Sequence, residues 1–266
     1  MTVLREDCLS GKVVLVSGGT QGIGAAAART AAGCGAQAVI VTGRRPELAG
    51  PLIDELDALG TEPLFVRADV GIVDQAAASV ATVIDTFGRV DCVVNAAALT
   101  DRGTLLDTTP EMFDAHVAIN LRGPFFIMQA AVRDMLARDA AGTIVNVVSI
   151  SSHTGSRVLA PYVASKGGLA ALTRNVAHAH RFDRIRVNGL NIGWTATEGE
   201  DAVQRRFHDA QDGWLADAGR DLPAGRLGNP DEIADMIVYL LSDGSGIVTG
   251  SVIDWDQNVM GGEKEN

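Results

Sequence analysis

Residues 12–24 read KVVLVSGGTQGIG, and this stretch decides the fold. A short apolar run leads into a turn that contains Gly18, Gly22 and Gly24, and an alanine-rich segment follows. Glycines let a strand turn sharply into a helix and let the backbone approach a pyrophosphate closely. The free N–H groups of the first helical turn then point at the phosphates. A P-loop, the alternative phosphate cradle, needs a Gly-Lys-Ser/Thr sequence that does not follow here. The stretch therefore predicts a dinucleotide-binding turn.

The same alternation of apolar run and helical segment continues along the chain. The runs are almost continuously apolar, as is typical of strands buried on both faces of a parallel sheet. The sequence therefore predicts an α/β fold, a doubly wound, Rossmann-type parallel sheet of about seven strands with helices on both faces, in one domain over residues 1–266. The predicted strands are Lys12–Val16, Ala38–Thr42, Pro63–Arg67, Asp91–Asn95, Thr143–Ser149, Arg184–Leu190 and Ser251–Asp254.

The alternation of apolar runs and helical segments is interrupted at about residues 193–228, where the sequence is polar and contains Asp, Glu and Trp. An insertion at the carboxyl end of a strand commonly forms a ligand pocket or lid. A solvated surface helix is the alternative. We expect the insertion to be a substrate loop.

Composition excludes several classes of function. The chain has 266 residues with 33 acids against 22 bases, a formal net charge of −11. Such a charge opposes binding to nucleic acid or to an anionic membrane. No apolar window is long enough for a membrane helix, and the first residues lack the apolar core of a signal peptide. The three cysteines and the His, Asp and Glu residues have no metal-ligand spacing, so no metal is expected. These features predict a soluble, acidic, cytoplasmic globular protein, and by themselves they indicate no activity.

The end of the second predicted strand indicates which dinucleotide binds. An acid about 20 residues after the glycines would bond a ribose 2′-hydroxyl and select NAD(H). This chain instead has Arg44 and Arg45, with no acid before Glu47. A guanidinium group can hold a 2′-phosphate with several donors. We therefore expect a preference for NADP(H), with NAD(H) as the alternative; the arginines could also merely begin a helix.

Tyr162 and Lys166 are one helical turn apart in a segment of small residues. Positions i and i+4 share a face, so the phenol and the ammonium group can converge. A nearby positive charge favours the phenolate, which would lower the pKa of Tyr162 toward the working range of a proton-transfer catalyst. The alternative is a surface tyrosine beside a lysine. The second tyrosine, Tyr239, falls in the apolar stripe of a late helix and is expected in the core.

In this order the motifs resemble the short-chain dehydrogenase/reductase family, of the compact single-domain type, over nearly the whole chain. Three motifs depart from the family pattern: the family's Asn-Asn-Ala-Gly is Asn-Ala-Ala-Ala from Asn95, its Pro-Gly is Ile192-Gly193, and its C-terminal Asp-Gly-Gly is Asp256-Gln257-Asn258. The matching pieces are Gly18-x3-Gly22-x-Gly24, Asp69, Asn95-Ala96-Ala97, Asn120, Ser149, Tyr162-x3-Lys166 and Thr197.

The resemblance implies the roles of these residues. Tyr162 would be the general acid/base, Lys166 would lower its pKa and hold the nicotinamide ribose, Ser149 would bond the substrate oxygen, and Asn120 would hold a relay water. Asp69 would contact the adenine, Asn95 the adenosine ribose and Thr197 the carboxamide. The expected cofactor-binding residues are Ser17, Gly18, Thr20, Gln21, Gly22, Ile23, Gly24, Arg44, Arg45, Asp69, Val70, Asn95, Tyr162, Lys166 and Thr197.

The implied function is hydride transfer between a nicotinamide cofactor and a secondary alcohol or ketone. Because the insertion is rich in acids, we expect it to disfavour anionic substrates, and a sugar or polyol is the preferred substrate class. A 3-oxoacyl thioester reductase and a non-catalytic NADP(H)-sensing protein on the same fold are the alternatives. The family resemblance also predicts a homotetramer or homodimer, assembled through the helices at Pro124–Arg138 and Pro161–Ala179.

Overall fold

The apolar runs of the sequence form seven strands that pair in parallel throughout, in the order β3-β2-β1-β4-β5-β6-β7. The structure is a computed structural model, and it describes residues 4–257. Neither β1 nor β5 exposes any residue, as expected for strands covered on both faces. The predicted α/β sheet is thus confirmed. The strands are β1 (Val13–Ser17), β2 (Ala38–Gly43), β3 (Glu62–Arg67), β4 (Cys92–Asn95), β5 (Gly142–Val147), β6 (Ile185–Ile192) and β7 (Val252–Trp255).

Helices cover both faces of this sheet. On one face α1 packs against α2 and α9, and on the other α3 packs against α5. Among residues 4–257, none of the helices combines the length and apolar character that a bilayer crossing would need. The helices are α1 (Gly22–Gly33), α2 (Ala49–Ala58), α3 (Val73–Phe87), α4 (Pro110–Val117), α5 (Gly123–Ala137), α6 (Ala160–His180), α7 (Glu198–His208), α8 (Trp214–Arg220) and α9 (Pro230–Leu241).

The strand order creates a cleft at the carboxyl edge of the sheet. After β3 the chain crosses to the opposite side of β1, so the connections on either side of β1 run in opposite directions. The register places Ser17 of β1 beside Asn95 of β4, and Asn95 beside Asn146 of β5. A crevice at such a switch point is where α/β sheets bind their ligands.

Residues 193–228 fold largely into two helices, α7 and α8. The two ends of this insertion pair with each other, since Ala196 N donates to Gly228 O over 2.9 Å and Gly228 N to Trp194 O over 2.8 Å. Inside it, the rings of Trp194 and Trp214 lie 5.8 Å apart. The indole of Trp214 also donates to Asp201 Oδ1 over 2.7 Å. The insertion therefore leaves the sheet and returns at one point.

Two expectations about individual residues need correction. Tyr239 is 41% exposed and does not lie in the core. On α9 the buried stripe includes Ile233, Ile237 and Leu240, and position 239 is turned about 200° from position 237. In addition, β5 ends at Val147, so Ser149 lies past the strand, where it caps a short 3-10 turn.

The turn between β1 and α1 makes a specific prediction about stability. A Cβ atom at Gly24 would lie 2.1 Å from the carbonyl oxygen of Gly18, whereas one at Gly33 of the same helix would have nothing within 4 Å. We expect Gly24→Ala to lower the free energy of unfolding by roughly 1–3 kcal/mol, the usual cost of overpacking. Gly33→Ala, the matched control, should leave it unchanged or raise it by up to about 1 kcal/mol. Urea unfolding measures both; equal stabilities for the two variants would contradict the steric account.

Candidate active site

The glycine turn is in close contact with the loop after β4 and with the start of α7. Gly18 has φ +73°, and a Cβ there would lie 2.5 Å from the backbone of Ala97. Gly22 has φ +53°, and a Cβ there would approach the Thr197 methyl group to 3.3 Å. Side chains are thus excluded from the turn by both conformation and space. The structure brings Thr197, predicted from the sequence as a cofactor residue, directly against this turn.

Two buried acceptors beside the turn lack a partner. Ser17 Oγ and Asn95 Oδ1 make no hydrogen bond with any of the residues that the structure describes, and the two residues are 1% and 2% exposed. The amide nitrogen of Asn95 donates to Asn146 Oδ1 over 2.8 Å. A buried polar atom without a partner costs free energy unless a ligand or water satisfies it. These atoms therefore fit a hydroxyl-bearing ligand such as a ribose at the switch point.

The other residues predicted around the turn differ in whether their side chains are free to contact a ligand. Thr20 packs against Gly43 at the end of β2, and Ile23 packs against the hydrophobic core. Val70 lies against Gly123, where a Cβ would meet it at 2.4 Å. Ile23 and Val70 can therefore offer a ligand chiefly their backbone groups.

The two predicted arginines point to different places. Arg44 lines an open cavity of about 580 Å³ together with Arg67, Asp69, Ile72 and Gln75. The guanidinium of Arg45 instead hydrogen-bonds to the side-chain oxygen of Gln21 in the glycine turn. Arg44 and Arg67 thus flank the position that the sequence analysis assigned to a 2′-phosphate, whereas Arg45 supports the turn.

Asn120 lies in a π-helical turn, Ala118–Arg122, between α4 and α5 and is fully buried. Its side chain accepts from Leu99 N over 2.8 Å and donates to Leu99 O over 2.9 Å and to Ser165 Oγ over 3.0 Å. The Ser165 hydroxyl in turn donates to the carbonyl of Tyr162 over 2.8 Å. Within residues 4–257 the Asn120 side chain makes no hydrogen bond to Lys166; it ties the loop after β4 to α6.

Ser149, Tyr162 and Lys166 meet in a buried cluster. Their exposed fractions are 7%, 8% and 2%. The Ser149 hydroxyl lies close enough to the phenol to lower its pKa. Lys166 Nζ lies 5.8 Å from the centroid of the Tyr162 ring and donates to the carbonyl of Val147 over 2.7 Å. Helix α6 therefore presents both side chains to the end of β5, as the i, i+4 spacing predicted.

Burial shifts the pKa values of this pair in opposite directions. Desolvation lowers the pKa of Lys166 to about 8 and raises that of Tyr162 to about 12. The Ser149 hydroxyl and the charge of Arg102 lower the pKa of Tyr162, while the charge of Glu200 raises it. Lys166 is not among the groups that shift the pKa of Tyr162 in this structure, where its ammonium group donates to a carbonyl. Its expected effect on the phenol stays a prediction.

Three charged residues at this site, Arg67, Arg102 and Glu200, were not predicted as site residues. Glu200 had a detectable signal, because Thr197-x-x-Glu200 fits a capping box, and the Thr197 hydroxyl does accept from Glu200 N over 3.1 Å. No local pattern marks Arg67 or Arg102. Within residues 4–257, no group of three or more His, Cys, Asp or Glu side chains is placed to bind a metal ion.

Comparison with known proteins agrees with this architecture. A family model described as enoyl-(acyl carrier protein) reductase matches residues 18–257. An L-rhamnose 1-dehydrogenase (NAD(P)(+)) of Sphingomonas sp. (strain SKA58) is 34% identical over 250 residues, 92% of this chain and 94% of the relative. An A-factor type gamma-butyrolactone 1'-reductase (1S-forming) of Streptomyces virginiae is also 34% identical, over 94% of this chain and 95% of the relative.

Solved structures show the same likeness in three dimensions. A variant of actinorhodin polyketide ketoreductase, crystallised with NADPH, superposes with a TM-score of 0.87 at 30% identity and covers 96% of this chain and 98% of its own. Sequence and structure agree over nearly the full length of the chain. The chain belongs to the short-chain dehydrogenase/reductase family and is an NAD(P)-dependent oxidoreductase that acts on a secondary alcohol or ketone.

Proposed function

We propose that this oxidoreductase prefers NADP(H), that Tyr162 transfers the proton at the substrate oxygen, and that the substrate is an uncharged hydroxylated molecule such as a sugar or polyol. One observation carries the proposal. Ser149, Tyr162 and Lys166 form a buried cluster at the same sheet edge as the glycine turn. Few other arrangements would hold a hydroxyl, a phenol and an amine together in a desolvated crevice beside a nucleotide turn.

The residues around the switch point fit a dinucleotide. The backbone of Gly18 to Gly24 would hold the pyrophosphate at the start of α1, supported by Thr20 and Gln21. Ser17 and Asn95 have acceptors without a partner among residues 4–257, which would suit a ribose, and Asp69 and Val70 would border the adenine. Thr197 and Lys166 would hold the nicotinamide end. NADP(H) supplies or accepts the hydride when bound.

Tyr162 and Ser149 supply the proton chemistry. With a pKa of about 12, the phenol is protonated at neutral pH and can donate its proton to a carbonyl oxygen in the direction of reduction. The Ser149 hydroxyl donates a hydrogen bond to that oxygen and stabilises the charge that develops on it. Lys166, with a pKa of about 8, readily exchanges a proton near neutral pH. It can return a proton to the Tyr162 phenolate through a relay water that Asn120 would hold.

An uncharged substrate fits the charges near the phenol. Arg102 is paired with Glu200 at 3.1 Å, so its charge is already compensated. The pair offers donors and acceptors to hydroxyl groups without attracting an anion. The L-rhamnose dehydrogenase relative supports this choice of substrate class. The 3-oxoacyl thioester alternative is supported by a solved 3-oxoacyl (acyl-carrier-protein) reductase of Agrobacterium tumefaciens, which is 27% identical and covers 94% of this chain.

The proposal also covers domain organisation, assembly and location. Residues 1–266 form one domain, with the insertion near 193–228 as a substrate lid, in a homodimer or homotetramer. Phe125 and Leu136 on α5 support assembly, because they are apolar and more than 40% exposed. A cytoplasmic location is supported by Cys8, Cys34 and Cys92, which are free thiols.

The acid/base role predicts a selective loss of turnover. Tyr162→Phe keeps the ring but removes the hydroxyl, so kcat should fall at least about 100-fold. The dissociation constant for NADP⁺ should change little. Tyr239→Phe, at the other tyrosine of the chain, is the matched control and should keep full activity. A panel of sugars, polyols and ketones, followed by nicotinamide absorbance, supplies the assay; wild-type turnover in Tyr162→Phe would refute the role.

Cofactor preference depends on the arginines around the open cavity. Arg44→Gln and Arg67→Gln should each weaken binding of NADP⁺ about 10-fold, the equivalent of one charge-assisted hydrogen bond. Binding of NAD⁺ should stay within about 2-fold, since it lacks the 2′-phosphate. Titration calorimetry with both cofactors measures this. Arg45→Gln, which loses the bond to Gln21, should weaken both cofactors alike; equal losses of both cofactors in Arg44→Gln would count against the preference.

A further inference from the structure

A partly buried ion pair joins the loop after β4 to helix α7. Arg102 Nη2 lies 3.1 Å from Glu200 Oε1, and each side chain is only 14% exposed. The same carboxylate oxygen accepts from Trp194 Nε1 over 2.8 Å and from Gln204 Nε2 over 2.7 Å. Three donors converge on one oxygen, so the position of Glu200 is strongly fixed.

The guanidinium of Arg102 reaches both ends of α7. Besides Glu200 in the first turn, it bonds through Nε to His208 Nε2, at the last residue of the helix, over 3.1 Å. A third bond runs to the carbonyl of Thr100 in its own loop over 2.8 Å. The pair thus fastens the main helix of the insertion along its length to the rest of the site.

The loop that carries Arg102 also pairs with the segment that leads to the reacting phenol. Gly103, next to Arg102, pairs with the segment just before α6: Gly103 N donates to Val158 O over 2.9 Å and Ala160 N to Gly103 O over 3.0 Å. The first turn of α6 carries Tyr162. Both charges act on the phenol, Glu200 raising its pKa and Arg102 lowering it.

We propose that Arg102 and Glu200 are positioning residues, which close α7 over the substrate site and whose opposed charges balance the electrostatic field at the Tyr162 hydroxyl. The inference rests on the proposed function in one respect, the role of Tyr162 as acid/base. With the pair intact, the two charges oppose each other at the phenol. Removing either partner leaves the other uncompensated in a desolvated place, where its effect is large.

The opposite signs of the two charges distinguish an electrostatic effect on Tyr162 from a purely mechanical attachment of α7. If the pair only held α7 in place, breaking it from either side would have the same effect. Because the charges act through space, loss of Glu200 must favour the phenolate and loss of Arg102 must disfavour it. The direction of the change in Tyr162 ionisation is therefore the decisive quantity.

Other titratable groups surround the phenol and must be held constant. Lys166 is on the same helix, 5.8 Å from the ring centroid. His208 contacts Arg102, and His116 of α4 bonds to the carbonyl of Asp101 in the same loop. All remain in every variant, so their contributions cancel in the comparison.

The test titrates Tyr162 directly and needs no substrate. The chain has only two tyrosines, so Tyr239→Phe leaves Tyr162 as the sole source of tyrosinate absorbance. Stopped-flow jumps to alkaline pH measure the amplitude before the protein unfolds. In this background we expect Glu200→Gln to lower the pKa of Tyr162, and Arg102→Gln to raise it, by about 1 in each case. The Tyr162→Phe variant of the same background must lose the signal.

Two controls separate charge from mechanical closure. Arg102→Lys keeps the positive charge but cannot make all three hydrogen bonds, so the pKa of Tyr162 should stay near that of the background protein while the KM for substrate rises. Arg206→Gln removes a 3.6 Å contact with Asp101 at a residue that is 68% exposed, and it should leave the pKa of Tyr162 unchanged. Circular dichroism confirms that each variant is folded.

Shifts in the same direction for Glu200→Gln and Arg102→Gln, or no shift in either, would overturn the inference. If Glu200→Gln does not fold, Glu200→Asp, which draws the carboxylate back by one methylene group, should move the pKa of Tyr162 downward by a smaller amount. The proposed function fails on a different result, full turnover in Tyr162→Phe, so the two failures are distinguishable.

Discussion

The burial of the Lys166 ammonium group is the constraint on which the arrangement of the site depends. Its long side chain crosses from α6 to the carbonyl of Val147 at the end of β5, and the enclosure that lowers its pKa to about 8 raises that of Tyr162 to about 12. One desolvated crevice therefore favours the neutral form of both groups. The phenol keeps its proton, while the amine is easily deprotonated. Within the chain, the groups that lower the pKa of the phenol are the Ser149 hydroxyl and the charge of Arg102, which act against burial and Glu200.

The fold was predictable because its main signals are local in sequence. Continuous apolar runs identified all seven strands, and the ends moved by only one or two residues in most of them. The start of α9 carries an equally local signal, since Asn229 precedes Pro230 and its side chain accepts from Asp231 N over 2.9 Å. Tyr239 was wrongly predicted to be in the core because it lies at the boundary of the apolar stripe of α9. Periodicity alone does not determine whether a residue at that boundary is buried or exposed. The polar insertion concealed α7 and α8, whose stability comes from contacts between distant residues.

In the candidate site, too, residues marked by local sequence signals were predictable and residues paired only by the fold were not. The spacing of Ser149, Tyr162 and Lys166 and the order of the glycines are properties of a single segment each, and the structure brings those residues together as expected. Arg102 and Glu200 are 98 residues apart in sequence, and no local pattern could pair them. Arg44 and Arg45 show that adjacent residues in the sequence need not share a role in the site. Neighbours in sequence, they diverge because one lines the open cavity while the other bonds to Gln21.

The acids of the insertion act locally rather than as a uniform negative field. Asp201 and Asp212 both bond to Arg205, and Asp217 bonds to Arg220, as Glu200 does to Arg102. Paired charges lose most of their field beyond a few ångströms, particularly at physiological ionic strength. The expectation that these acids repel an anionic substrate at long range is therefore weakened. The proposed uncharged substrate is therefore supported by the compensated Arg102–Glu200 pair, 3.1 Å apart, rather than by the net charge of the insertion.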